Sequence, residues 1–208
     1  MHADEKFTYE TWPAAPEKST LESKNKFLGF WFFLGGETVL FASLFATYIA
    51  LKDKVPSTTH HLAKDLFELP LTFVATMLLL TSSLTSVYAM YHMKNFAFKK
   101  MMTWLGLTAL LGLGFLGLEV YEFTNYVHEG HTFTSSAFGS AFYTLVGFHG
   151  GHVAFGLLWC FTLMFRNSKR GLDLYNAPKF YVFSLYWHFI DVVWVFIFTV
   201  VYLMGMVG

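Results

Sequence analysis

Five apolar stretches, each long enough to cross the hydrocarbon of a bilayer, leave this chain little to be except a membrane bundle. They run over residues 27–51, 69–91, 101–127, 138–165 and 180–204. A spanning helix needs about 20 apolar residues. Inside lipid the backbone polar groups must be satisfied within the segment, so such stretches form helices. The predicted fold class is therefore all-α, a polytopic membrane bundle of five transmembrane helices. Of 208 residues, 13% are charged, about half the share in a soluble domain. Residues 1–26 form an N-terminal segment and residues 27–208 the membrane domain. The formal net charge is zero, which gives no footing to a nucleic-acid partner.

Cysteine chemistry is excluded by count. Cys160 is the one cysteine, so disulfides, thiolate zinc sites and iron–sulfur clusters have no ligand set. The first 26 residues carry Asp4, Glu5, Glu10, Glu17 and Glu22 with Pro13 and Pro16. That is no basic region followed by an apolar one, so no cleavable signal peptide is visible and the first span is expected to direct insertion.

Basic residues are unevenly shared between the two ends of the spans. One side has Lys6, Lys18, Lys24, Lys26, Lys94, Lys99, Lys100, Arg166, Lys169, Arg170 and Lys179; the other has Lys52, Lys54 and Lys64. The positive-inside rule then puts the N-terminus in the cytoplasm and the C-terminus outside. Short loops predict that sequential helices pack as antiparallel neighbours. Small residues at four-residue spacing mark helix contacts: Ala42, Ala46 and Ala50; Ser82 and Ser86; Gly147 and Gly151. Gly106, Gly112, Gly114 and Gly117 point to the third span as the central helix.

Ionisable residues inside spans are costly and are functional candidates by default. Glu37 lies near the middle of the first span, on the helical face of Phe30, Phe33, Phe41, Leu44 and Tyr48 and away from the alanine stripe. With that stripe on a neighbouring helix, Glu37 is expected to face lipid or a lipid-holding cleft. Three later spans carry pairs at i, i+3: Glu119 and Glu122, His149 and His152, His188 and Asp191. Carboxylate and histidine pairs on facing helices are the ligand pattern of di-iron bundles. They equally suit a network of hydrogen bonds across the bundle, and residue types alone leave both open. His60, His61, His128, Glu129 and His131 fall in outer loops and read as solvated.

Longer strings are more specific. The first span contains Phe30-Trp31-Phe32-Phe33-Leu34-Gly35-Gly36-Glu37. The third ends Glu119-Val120-Tyr121-Glu122-Phe123. The fourth contains Gly147-Phe148-His149-Gly150-Gly151-His152-Val153, and the fifth Tyr186-Trp187-His188-Phe189-Ile190-Asp191-Val192-Val193-Trp194. In this order they closely resemble subunit III of the haem–copper terminal oxidases, from about residue 27 to the C-terminus.

The resemblance implies a five-helix short form from a bacterial cell membrane, lacking two helices that precede this region in longer members. In those, a cleft between the two extra helices and the rest holds phospholipids, so bound phospholipid is expected. It implies a subunit with no catalytic residue, metal or haem of its own. Haems and copper belong to partner chains, with subunit I as the main contact and subunit II and a small subunit IV alongside. The family's intramembrane carboxyl falls on Glu37, and Glu119, Glu122, His149, His152, His188 and Asp191 become structural polar contacts. The complex would reduce O₂ to water and pump protons, with cytochrome c as donor. The alternatives are the matching subunit of a quinol oxidase and, from another class, a self-contained membrane metalloenzyme built on the His/Glu pairs. A proton-coupled transporter would want an inverted repeat or broken helices, and neither is visible.

Overall fold

Apolar side chains spread around each segment, with every backbone bond kept inside it, give five long helices. A computed structural model describes residue 8 and residues 10–52, 69–128 and 137–203. We number the helices α1 (Leu21–Lys52), α2 (Leu69–Lys94), α3 (Phe98–His128), α4 (Ala137–Asn167) and α5 (Ala177–Ile197). A π-helical turn, Phe198–Leu203, prolongs α5. All five are long and apolar enough to span a membrane. Lys6, Lys54 and Lys64, used for the orientation, lie outside the described residues.

The order of packing differs from the simple antiparallel sequence. α2 and α3 pair along their length, α3 meets α4, and α4 meets α5. However, α1 packs on α4 and α5 rather than on α2. The central helix is α5, which touches α1, α2 and α4 and is more buried than α3. The glycines of α3 misled because only Gly112 makes a close approach; Gly117 has open space beside it. The small-residue stripe of α1 is also turned round. Ala42, Ala46 and Ala50 are exposed, while Leu34, Phe41 and Tyr48 are buried against the bundle.

A polar seam joins α2 to α5. The Trp194 indole donates to Thr76 Oγ1 at 3.0 Å, and the Trp187 indole to Ser82 Oγ at 2.9 Å. Ser86 and Ser184 pair at 2.9 Å, and Thr85 reaches Thr108 of α3 at 2.8 Å. Between membrane helices such bonds average about 0.6 kcal/mol each, so the seam sets register as much as stability.

The segment before residue 27 is part of the bundle rather than a separate arm. α1 starts at Leu21, and a 3₁₀ turn, Pro16–Lys18, packs on α1 and α5. The Trp12 indole donates to the Met93 carbonyl at 3.1 Å, at the end of α2, and its ring lies 4.9 Å from that of Phe96. Buried Glu17 is 3.7 Å from Lys94 Nζ. Phe96 itself takes a φ of 54° in the tight α2–α3 turn.

Trp187 fits tightly against two glycines. A Cβ on Gly112 would stand 2.8 Å from the indole, and one on Gly156 would stand 2.9 Å from it. Gly112→Ala and Gly156→Ala should each destabilise the chain by about 1–2 kcal/mol, since overpacking outweighs alanine's better helix propensity. Thermal unfolding in detergent checks this; an alanine variant as stable as the parent would show that the indole has room.

Candidate functional site

The α1 stripe Phe30, Leu34, Glu37, Phe41, Leu44 and Tyr48 follows a 4-3-4-3-4 spacing, which keeps it on one face. That face meets α4, and Glu37 with it. Glu37 Oε2 lies 3.1 Å from His152 Nε2, with the two side chains 17% and 18% exposed. Glu37 thus turns towards α4, beside a groove, on the face away from the alanine stripe as the helical spacing predicts. Phe41 covers the imidazole from one side, ring centres 5.1 Å apart.

The other imidazole nitrogen is engaged as well. His152 Nδ1 is 2.7 Å from the Phe148 carbonyl oxygen. A carbonyl only accepts, so Nδ1 carries a hydrogen. In a neutral ring Nε2 is then an acceptor and Glu37 must donate. In a charged ring Nε2 donates to a carboxylate. Either way the contact joins α1 to α4 through one hydrogen bond.

His152 lines a groove of about 400 Å³ between α1, α4 and α5, walled by Phe33, Phe148, Phe155 and Tyr186. Gly147 and Gly151, read from sequence as a helix-packing motif, are one turn apart on α4 and form part of its lining. The Tyr186 hydroxyl is tied to the His152 carbonyl at 3.0 Å.

The other sequence-predicted residues divide into separate groups rather than one network. Glu122 accepts from Thr72 at 3.2 Å and from Tyr126. His188 Nδ1 pairs with Ser83 at 2.6 Å, and its Nε2 is 3.4 Å from Ser184. His149 is fully buried, stacked on Trp194 at 5.1 Å and edge-on to Phe115 at 5.9 Å. Buried Glu119 lies against Gly150, where an added Cβ would come within 2.7 Å of Oε2. Asp191 is buried near Ser83, whose hydroxyl serves His188. Among the described residues no three His, Cys, Asp or Glu side chains converge as a metal-binding group. His128 is exposed at the end of α3, and His60, His61, Glu129 and His131 lie outside the described residues.

Sequence reasoning missed two things here. The partner of Glu37 was assigned to another group, although the heptad spacing of bulky residues on α1 marks a packing face. The cations around Tyr175, at the N-terminal end of α5, gave no periodic signal: Lys179 Nζ is 3.5 Å from the ring centre and Lys26 Nζ 5.2 Å.

Known proteins carry the same pattern. The family model described as cytochrome c oxidase subunit III matches residues 18–206. The chain is 78% identical to "Cytochrome c oxidase subunit 3" of Bacillus sp. (strain PS3), and 74% identical to the protein of that name from Bacillus subtilis (strain 168). All of both chains is covered in each comparison. It is 47% identical to "Probable quinol oxidase subunit 3" of Staphylococcus aureus (strain USA300), over 92% of this chain and 94% of that one. With five spanning helices and a match over nearly its whole length, the chain belongs to the cytochrome c oxidase subunit III family and is a subunit III of a haem–copper oxidase in the bacterial plasma membrane.

Proposed function

We propose that this subunit serves an oxidase that takes electrons from cytochrome c. The observation that carries the reading is the gradient of similarity: 78% and 74% to the two Bacillus proteins named for cytochrome c, against 47% to the one named for quinol. In this reading the chain holds no redox centre. It braces subunit I, which carries the haem and copper, within a complex that includes subunit II and a small subunit IV. The division of its buried polar side chains into helix-to-helix pairs favours this role over a self-contained metalloenzyme. Phospholipid occupies the apolar groove beside Glu37 and His152, whose aromatic walls suit an acyl chain. The end bearing the N-terminal segment faces the cytoplasm, as its excess of basic residues requires.

The donor is tested on the native complex. O₂ uptake should be driven by reduced cytochrome c, and a co-purifying chain should contain a cupredoxin-like copper domain. Uptake driven by quinol alone, with a copper-free counterpart of that chain, would replace this reading by the quinol oxidase one.

Orientation is checked by thiol labelling in intact cells. Cysteines placed at Asn95 or Lys169 should be protected from a membrane-impermeant reagent, and one at His128 should react. Native Cys160 is buried and adds little background. The reverse pattern would overturn the orientation.

Glu37→Gln keeps the shape of the side chain, and its amide can donate to His152 Nε2 as a protonated Glu37 does. The variant should assemble and keep its initial oxidase rate within about twofold, because a lost surplus of roughly 1 kcal/mol in a preserved hydrogen bond does not reach a redox centre in another chain. Glu37→Ala leaves His152 without its partner and should shorten activity during sustained turnover. An assembled Glu37→Gln complex with almost no initial rate would instead put Glu37 on the proton path.

A further inference from the structure

Residues 12–18 touch α1, α2 and α5. The 3₁₀ turn Pro16–Lys18 packs on α1 and α5, and Lys18 Nζ lies 4.6 Å from the ring centre of Phe27 on α1. Trp12 and Glu17 reach Met93 and Lys94 at the end of α2. The segment runs into α1 without slack: Ser19 Oγ donates to the Pro16 carbonyl at 3.0 Å, and the Ser23 amide donates to Thr20 Oγ1 at 3.1 Å. α1 itself packs on α4 and α5 rather than on α2, and it is the least buried of the five spans. The segment therefore ties together two helices that do not lie along one another.

The turn that it grips is strained. Phe96, at φ 54°, is in the left-handed region, which residues other than glycine enter at a cost. The Phe96 amide closes the turn on the Met93 carbonyl at 3.1 Å. The Trp12 indole donates to that same carbonyl, also at 3.1 Å, and its ring centre is 4.9 Å from that of Phe96. One carbonyl thus carries both the turn and the segment. The second grip has a cost too. Glu17 is buried, with Oε1 3.7 Å from Lys94 Nζ, while its Oε2 has no hydrogen-bond partner among the described residues. A buried acceptor without a donor opposes closure. Both costs disappear once the segment lifts away, because Phe96 can relax and Glu17 can be hydrated. The buried Trp12 ring and its hydrogen bond act against that release.

We propose that residues 12–18 form a releasable clasp, which holds the start of α1 to the α2–α3 turn and opens as one unit while the five spans stay packed. Local opening of this kind is how a fold separates a weakly held element from its core. Closed, the clasp fixes the first turns of the helix that carries Glu37. Open, it frees those turns and lets Phe96 leave the left-handed region. Two unrelated contacts would loosen one at a time; a clasp loosens both of its ends together.

The test is hydrogen exchange read by mass spectrometry on the intact oxidase complex in nanodiscs, carrying the wild-type chain, Trp12→Ala or Trp12→Phe. Trp12→Ala should speed exchange of the peptides covering residues 12–26 and 93–101 together, by about tenfold, the factor for 1.4 kcal/mol. A peptide from residues 148–160 of α4 should not change. Trp12→Phe keeps a ring but loses the donor, and should fall between. With Phe96→Gly already in place, the effect of Trp12→Ala on residues 93–101 should shrink to about threefold, because glycine takes the left-handed conformation without support. Faster exchange at only one of the two ends would overturn the clasp, and so would no change at either. An equal effect of Trp12→Ala with and without Phe96→Gly would sink its link to the strained turn. If the Trp12→Ala complex does not assemble, Trp12→Phe decides the matter: both ends faster supports the clasp, and one end or neither refutes it.

Discussion

One side chain reaches three neighbouring helices. Trp187 of α5 is fully buried, with its indole N–H on Ser82 of α2 and its ring against Gly112 of α3 and Gly156 of α4. Lipid tails are as apolar as the helices, so no hydrophobic effect drives helices together in the bilayer. Close fit and satisfied polar atoms must do it. Trp187 supplies both, and the two glycines exist in the sequence at the positions where its ring needs the volume. The Trp194–Thr76 bond repeats the arrangement two turns on, which makes α5 the axis on which α2 and α4 are set.

The spans were legible because their signal is length and composition, which need no knowledge of neighbours. The family was legible because strings such as Tyr186–Trp194 combine several constrained positions at once. Packing order was not. Glycines on α3 suggested a central helix, yet a glycine reports only that some neighbour comes close, and Gly112 alone has such a neighbour. Likewise Ala42, Ala46 and Ala50 suggested a contact within this chain, but small residues and bulky ones can each form a packing face. On α1 the choice falls to the bulky face, where Glu37 and Phe41 meet His152 of α4.

The same turn of α1 explains why the polar residues could not be grouped correctly. Spacing at i, i+3 says that His149 and His152 lie on roughly one side of α4. It does not say that a 60° difference in direction is enough to send them to different helices. His149 enters the aromatic interior between Phe115 and Trp194, while His152 turns to Glu37. A network expected from residue types becomes several local bonds, each holding one pair of helices.

Those bonds also bear on how a proton could move. The Glu37–His152 pair is bonded from helix to helix, but its other contacts end locally. His152 Nδ1 closes on a carbonyl of its own helix, and the Tyr186 hydroxyl closes on the His152 carbonyl. Glu122 and Tyr126 form a separate group with Thr72. Among the described residues no hydrogen bond links the two groups through His152. A relay needs successive donors and acceptors that can exchange roles, and the hydrogen bonds beside this pair close on backbone carbonyls instead. Pairing the two side chains leaves neither polar group alone in an apolar setting and joins α1 to α4 at the place where the groove would otherwise let them part.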